Sequence, residues 1–356
     1  MVAVVVFEFS GMRCQPLRRA LSCYRSAIVS MKLYIIGNGF DLYHKIPSSF
    51  QHFKDFVFSS NQELFDAVER YLPVSNNWSD LESALADVDV DEIIESALKF
   101  LAPDNSEDWG DGYLHDYKYE IENTVSVLSQ VLLEQFRYWL LTLEIPNKDE
   151  LCISPIVLDR NAKFLSFNYT NTLKIIYLTN DEEVIHIHGK VEDEYSDIVL
   201  GHSWSPSDIR SLNEVSDVDN MDARIVEGNN ILDRYFQDTF KPVDEIIDKF
   251  NDFFESLEEV NEIYILGHSL SQVDFEYFEK VQKSVSQEAQ WCASYYSESE
   301  INRHMSVLLK LGVAKEKMHL FRLIDGLPQL NKLLKRDCQR VAFPVPLSRG
   351  GCSCCD

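Results

Sequence analysis

The sequence lacks any apolar run of about 18 residues, the length that a helix needs to cross a bilayer, so we predict no membrane partner. It is also poor in basic residues, with 33 Lys and Arg against 58 Asp and Glu and a formal net charge of -25. A surface this acidic repels nucleic-acid phosphates, and no Lys/Arg cluster lies near the candidate site described below. We therefore expect no direct contact with nucleic acid.

Cysteine is scarce through the body of the chain. Five of the eight cysteines lie near the ends, and Cys152, Cys292 and Cys338 between them are widely separated with no metal-type pairing. This pattern is typical of a reduced, cytoplasmic protein and not of a disulfide framework. The terminal segment GGCSCCD could bind a metal or carry an acyl group, but we predict that residues 346–356 form a disordered tail.

The first thirty residues differ from the acidic body because they are basic. Their apolar stretch, VAVVVF, precedes the arginines, which is the reverse of the order in a secretory signal. Met31 stands immediately before the first predicted strand. We therefore expect translation to start at Met31, residues 1–30 to be a non-native or disordered leader, and residues 31–345 to form a single α/β domain.

Strand-like segments alternate with helical patterns along the body. The predicted strands cover 32–36, 162–167, 184–188, 197–200 and 262–266, with two more starting at Trp291 and Met318. Their nearly continuous apolar character predicts strands that are buried on both faces. Helical patterns cover about 50–58, 64–101, 113–143 and 209–260. The predicted fold is α/β, with an open, mostly parallel, Rossmann-like sheet and large helical insertions at about 60–150 and 205–260.

Polar and permissive residues follow five of the predicted strands, at the edge where open α/β sheets bind ligands. The segments are Gly37-Asn38-Gly39-Phe40-Asp41, Asn168-Tyr169-Thr170-Asn171, His186-Ile187-His188-Gly189, Gly201-His202-Ser203 and Gly267-His268-Ser269. The first is suited to close approach of the backbone to a phosphate, with a helix from about Ser48 behind it. It is an incomplete dinucleotide fingerprint, because Leu42 replaces the last glycine and no second strand with a terminal acid follows. A Rossmann dehydrogenase is thus disfavoured.

Each candidate residue also has a purely structural interpretation. The glycine turn could be a tight turn that holds no ligand. Asp41 could contact a ribose hydroxyl, but we favour a role as the cap of the following helix. Asn168 presents a free carboxamide that could bind a ribose or a carboxamide ligand. His188 could act as a base near neutral pH, with room for a ligand beside Gly189, or could bond a backbone carbonyl.

Other chemistries are less well supported. His188, His202 and His268 could form a zinc site, but no H-x-x-x-H spacing or cysteine partner accompanies them. The segment GHSLS at 267–271 resembles a hydrolase nucleophile elbow, yet Asp274 lies too close to it for the usual triad spacing. Nuclease action needs a carboxylate metal cluster, which we do not locate in the sequence. We therefore expect no metal.

Five segments together resemble the AbiH family of bacteriophage abortive-infection proteins. They are YIIGNGFDLYHKIPSSFQHF, FLSFNYTNTL, IHIHG, IVLGH and ILGHSLSQVDFEYF, in the order of that family's blocks. The similarity runs from about residue 32 to residue 278, and NNWSDLESAL, with Trp78 and Glu82, fits a further helical block. At Lys45 the chain departs from the family, which commonly has glycine there, so the geometry of that turn is not carried over.

The same blocks look like a diverged, sirtuin-like NAD-binding pattern. This resemblance implies NAD+ as the substrate and catalytic roles for Asn168 and for His188 of the His-Gly pair. It implies that the dinucleotide is bound by the following residues: Gly37, Asn38, Gly39, Asp41, Gly189, Gly267, His268 and Ser269. The deacetylases' zinc module is absent because no paired C-x-x-C occurs, so protein deacetylation is not implied.

Together, the two resemblances imply a cytoplasmic abortive-infection protein that hydrolyses NAD+ to nicotinamide and ADP-ribose on infection. Its partners would be the dinucleotide substrate and a phage or host trigger protein. The identity of the trigger and the oligomeric state, including a homo-oligomer, stay open. The alternative is a non-catalytic module in phage defence, in which the same pocket binds a nucleotide signal and the acidic helical insertions engage a phage or host protein.

Overall fold

The computed structural model describes residues 30–101, 116–151, 155–208, 210–214 and 221–328, together with residues 153 and 330. The predicted leader, apart from Ser30, and the predicted cysteine-containing tail lie outside the described residues. Within the described ranges, no helix combines the length and the apolar character needed to cross a membrane.

Six parallel strands form one open sheet. They are β1 (Met31–Ile36), β2 (Lys163–Ser166), β3 (Val184–His186), β4 (Val260–Leu266), β5 (Gln290–Tyr295) and β6 (Met318–Arg322). Their spatial order is β3-β2-β1-β4-β5-β6. This is the order of the doubly wound dinucleotide-binding fold, in which the winding reverses between β1 and β4. The predicted α/β class with a parallel, Rossmann-like sheet is confirmed.

The central strand β1 is buried on both faces, as its apolar sequence predicts. Leu33 and Ile35 belong to the apolar cluster on one face, and Tyr34 belongs to the cluster on the other. This alternation follows because successive side chains of a strand point to opposite faces. The Tyr34 ring lies 5.4 Å from the rings of Phe164 on β2 and Tyr264 on β4, its neighbours in register.

Helices cover both faces of the sheet and build the insertions. In chain order they are α1 (Asn38–Tyr43), α2 (Phe50–Ser60), α3 (Gln62–Tyr71), α4 (Leu81–Ala84), α5 (Val90–Leu98), α6 (Asp116–Ser126), α7 (Leu132–Leu141), α8 (Thr172–Tyr177), α9 (Ala223–Asp238), α10 (Val243–Lys249), α11 (Asn251–Glu255), α12 (Phe275–Ser284) and α13 (Glu298–Lys310). A π-helical segment, Val127–Val131, joins α6 to α7. Short 3-10 helices span Leu85–Asp87, Lys148–Glu150, Asp181–Glu183, Pro206–Asp208, Gln272–Asp274, Lys315–Lys317 and Leu323–Asp325.

The two helical insertions share one apolar core. Helices between β1 and β2 pack together around aromatic side chains such as Phe53 and Trp78, and residues of α9 join the same cluster. Gly228 of α9 lies against α6, where a Cβ atom would come within 2.9 Å of Tyr117. The second insertion therefore docks on the first, although the chain returns to the sheet between them.

One predicted strand is wrong, and one short helix was not predicted. Residues 197–200 form no strand, because β3 ends at His186 and the segment meets the turn that follows it, where the Val199 N–H donates to the His188 oxygen at 2.9 Å. The helix predicted from about Ser48 is present as α2, which Ser49 caps, but the short helix α1 precedes it and was not predicted; it starts at Asn38, directly after Gly37. The glycine turn is therefore itself the start of a helix.

Candidate functional site

The glycine turn after β1 packs against the turn after β4. The Gly39 N–H donates to the Gly267 carbonyl oxygen at 2.7 Å. A Cβ atom at Gly37 would lie 2.5 Å from the Cα atom of His268, and one at Gly267, whose φ is +67°, would lie 2.1 Å from the Phe40 nitrogen. Glycine is required here because two backbones meet at the point where the winding of the sheet reverses.

Asp41 is a buried residue of α1 and not a helix cap. It is 1% exposed, and its Oδ2 atom accepts a hydrogen bond from Thr170 at 2.6 Å. Burial raises the pKa of Asp41 to about 6, and hydrogen bonds with Thr170, Thr172 and Asn168 oppose that shift. The predicted capping role is wrong, because Ser49 caps α2 by accepting a backbone N–H.

Asn168 links the end of β2 to the glycine turn. It is buried, and its Nδ2 atom donates to the Gly37 oxygen at 3.1 Å. His186, the last residue of β3, contacts the Asn168 carbonyl oxygen through Nδ1 at 2.9 Å. The carboxamide that we predicted to be free is thus engaged by the protein on its amino side, and Asn168 connects the ends of three neighbouring strands.

His188 lies in the turn after β3 and is packed among aromatic rings. It is 3% exposed, with its ring centroid 5.3 Å from Phe167 and 5.5 Å from Tyr277. Gly189 follows with a φ of +84°, and a Cβ atom there would lie 2.1 Å from the Asp197 oxygen. In this conformation, the space beside Gly189 is therefore filled by the chain itself.

Asp274 lies at the centre of a buried cluster of ionisable residues, which joins the predicted site residues His188 and His268 to residues that we did not predict as part of the site. Its Oδ1 atom lies 3.3 Å from Lys241 Nζ and 3.6 Å from His188 Nε2. Its Oδ2 atom lies 2.9 Å from Ser271 Oγ and 3.5 Å from His268 Nε2. Burial alone would raise the pKa of Asp274, but these neighbours, Lys241 foremost, hold it at about 2. We call this set, with Glu82, the Asp274 cluster.

Lys241 joins Asp274 to Glu82. Its side chain is fully buried, with Nζ 2.8 Å from Glu82 Oε1. Burial would lower the pKa of Lys241, but Glu82 and Asp274 raise it above the ordinary value, so the amine stays charged. Glu82 comes from α4 in the first insertion, whereas Lys241 follows α9 in the second and Asp274 precedes α12. The Asp274 cluster therefore ties both insertions to the carboxyl edge of the sheet.

Both histidines of the cluster are neutral near pH 7. Burial lowers the pKa of His188 well below its usual value, Lys241 lowers it further, and Asp274 acts in the opposite direction. Burial also lowers the pKa of His268 to about 4. The Leu270 N–H donates to His268 Nδ1 at 2.9 Å, so Nδ1 is the acceptor and Nε2 carries the proton that faces Asp274.

Most predicted site residues converge on the carboxyl edge of β1, β2 and β4, but three lie differently. Asn38 and Ser269 are exposed, and Asn38 accepts a hydrogen bond from Ser48 at 2.5 Å. His202 is buried beside Phe240 in a separate backbone bridge and does not contribute to the Asp274 cluster. In the part of the chain that the structure describes, no group of three or more His, Cys, Asp or Glu residues is arranged to hold a metal ion.

A small cavity of about 140 Å³ opens beside the end of β2. Its lining consists of Tyr169, Thr170, Asn171, Leu140, Leu141, Leu143, Ile145 and Val191. Pockets that hold a complete small-molecule ligand usually measure about 300–1,000 Å³. A dinucleotide at this edge would therefore require the end of α7 and the segment after it to move.

The sequence model of one family covers most of this architecture. The family described as Bacteriophage abortive infection AbiH matches residues 33–295. The chain belongs to the AbiH family. The match starts in β1, ends in β5 and spans every residue of the Asp274 cluster, so this AbiH protein is a bacteriophage abortive-infection protein. A comparison with curated proteins finds no match. The sirtuin-like resemblance stays a prediction.

The residues of the Asp274 cluster that we did not predict as site residues differ in how far the sequence indicated them. Glu82 and Asp274 lie inside the segments that resemble the AbiH blocks, and that position was a usable signal. Lys241 lies between those segments, in the sequence FKPVDE, where nothing local distinguishes it from a solvent-exposed lysine. Its partners, Glu82 and Asp274, are 159 and 33 residues away.

Proposed function

We propose that this AbiH protein hydrolyses NAD+ to nicotinamide and ADP-ribose during phage infection. The observation that carries the proposal is the position of Asn168, His188 and the glycine turn. They lie together at the carboxyl edge of a 3-2-1-4-5-6 sheet, around the point where its winding reverses. Dinucleotides bind at that point in this topology. Asn168 directly contacts the turn that would face the phosphates.

In the proposed reaction, water replaces nicotinamide at the anomeric carbon of the ribose. The C–N bond breaks through an oxocarbenium-like state, and its electron pair leaves with nicotinamide, whose ring nitrogen is cationic in NAD+ and needs no proton. His188 is neutral near pH 7, so it can accept a proton from the attacking water. Asn168 orients the ribose and the water through its carboxamide.

Closure of the site supports a protein that is inactive until infection. His188 is 3% exposed, and the neighbouring cavity of about 140 Å³ is too small for a dinucleotide. The two helical insertions meet through Glu82 and Lys241, and Lys241 contacts Asp274 at this edge. We expect a phage or host trigger protein to bind the insertions and open the site, and we place the protein in the cytoplasm, where NAD+ and the trigger occur.

The test is nicotinamide release from NAD+ by purified wild type, His188→Ala, Asn168→Ala and the control His52→Ala, which removes an exposed histidine. Loss of a positioned base lowers turnover by about 10²- to 10⁴-fold. We therefore expect that decrease in His188→Ala and wild-type turnover in His52→Ala. Circular dichroism would establish that each variant is folded. The same assay in lysate from infected cells supplies the trigger. Unchanged release by His188→Ala would remove His188 from the mechanism, and no release in either setting would refute hydrolysis.

A non-catalytic nucleotide sensor is the second candidate, favoured by one observation. The Gly39 N–H and one N–H of the Asn168 amide are already bonded within the protein. Because these donors are occupied and His188 is buried, a nucleotide that bound at this edge would not contact His188 and would not be cleaved. Dinucleotide that remains intact and bound after long incubation with protein and infected-cell lysate would support this candidate.

A further inference from the structure

Four side chains surround the two oxygen atoms of Asp274. Lys241 donates a hydrogen bond to Oδ1 at 3.3 Å, and Ser271 donates one to Oδ2 at 2.9 Å. His188 Nε2 faces Oδ1 at 3.6 Å and His268 Nε2 faces Oδ2 at 3.5 Å, at or beyond the limit of hydrogen-bond distance. An ionised carboxylate is an acceptor only, so both nitrogens face an acceptor.

This arrangement specifies which nitrogen of each histidine carries its proton. A nitrogen that faces a carboxylate is favourable only as an N–H donor. For His268 a second contact agrees, because Nδ1 accepts the Leu270 N–H and Nε2 must hold the proton. His188 Nε2 is buried without a hydrogen-bond partner among the described residues, and the polar atom that it faces is Asp274 Oδ1 at 3.6 Å. The same argument therefore favours a proton on Nε2. Such contacts are commonly long before substrate binds.

We propose that Asp274 is the positioning residue of His188, holding the imidazole in the tautomer protonated at Nε2 and leaving Nδ1 to accept the proton from water. This inference rests on the proposed NAD+ hydrolysis. Asp274 itself touches no reacting atom. Ser271 and Lys241 orient the Asp274 carboxylate, so its geometry does not depend on His188.

The charges around His188 act on its protonated form in opposite directions. Burial and Lys241 disfavour the imidazolium, whereas the Asp274 carboxylate favours it. When His188 Nδ1 takes a proton from water, Asp274 therefore offsets part of the cost of the buried positive charge.

The first test needs no substrate. Protein labelled with 15N-histidine is examined by long-range 1H–15N correlation, with the His188 signals identified by their loss in His188→Gln. We expect the Nε2-protonated pattern for His188 in the wild type. In Asp274→Asn the amide N–H can face Nε2, so we expect the Nδ1-protonated pattern. A wild-type His188 protonated at Nδ1 would overturn the inference, whether or not the protein hydrolyses NAD+.

The second test is kinetic. We expect Asp274→Asn to lower kcat for nicotinamide release about 10²- to 10⁴-fold with KM within twofold of wild type, because the base is misoriented while substrate contacts remain. Asp238→Asn, on an exposed residue, is the matched control. If Asp274→Asn does not fold, Ser271→Ala removes one donor to Oδ2 and should lower kcat several-fold at constant KM. Wild-type kcat in a folded Asp274→Asn protein would overturn the inference. A wild type that shows the Nε2 tautomer but releases no nicotinamide would refute the hydrolase proposal alone.

Discussion

Replacing Lys241 by methionine should cost a large part of the folding stability of the protein. Methionine is close to lysine in length but carries no charge, so Glu82 and Asp274 would lose the cation that lies 2.8 and 3.3 Å from them. Removing one partner of a buried ion pair costs about 3–5 kcal/mol, because the remaining charges stay desolvated. At about 2 °C per kcal/mol for a chain of this size, Tm should fall by roughly 6–10 °C.

The measurement is urea unfolding followed by circular dichroism, with Lys283→Met as the matched control. Lys283 is 70% exposed and lies 3.7 Å from Glu279 one helical turn away, so its loss should cost no more than about 0.5 kcal/mol. Adding Glu82→Gln to Lys241→Met removes one of the two unpaired carboxylates and should restore part of the loss. Equal midpoints for Lys241→Met and Lys283→Met would refute the view that the Asp274 cluster is a desolvated ion network.

Two further outcomes follow from the strand-end turns. Asp41 binds its proton more tightly when folded, with a pKa of about 6 against an ordinary 3.8, so wild-type stability should fall as pH rises from about 4 to 6. The free energy of unfolding of Asp41→Asn relative to wild type, measured by thermal melts, should then increase by up to about 3 kcal/mol over that range. A difference that does not change with pH would contradict the assignment. Gly267→Ala and Gly312→Ala both place alanine at positive φ, but only at Gly267 does the new Cβ meet backbone, at 2.1 Å from Phe40. Gly312→Ala should cost about 1–2 kcal/mol and Gly267→Ala clearly more by urea unfolding, and equal losses would refute the steric argument.

The strands were predictable because each is buried on both faces and therefore apolar throughout. Six of the seven predicted strands lie in the sheet. The segment 197–200 has the same composition but forms no strand, because composition does not report whether a strand edge is available for pairing.

The departure from the family at Lys45 indicated the backbone conformation there. The φ of Lys45 is +67°, a conformation that glycine adopts without steric cost.

The candidate site was predictable only where residues follow strands directly. Gly37, Asn168 and Gly267 could be placed together because parallel strands end at one edge of a sheet. The Asp274 cluster depends instead on how the insertions fold back over that edge. Lys241 meets Glu82 only through docking of α9 on the first insertion, and no local pattern in the sequence encodes that docking.

The pairing of β1 has a consequence for how the protein is made. Tyr34 on β1 pairs with Phe164 on β2 and Tyr264 on β4, so the second edge of the central strand waits for a segment roughly 230 residues later. At about 5–20 residues per second of synthesis, that wait lasts on the order of 10–50 s. An unpaired apolar strand is prone to associate with other chains during such an interval. Early collapse of the helices after β1 into their own core would shield it, so the insertions would serve the nascent chain as well as the finished protein.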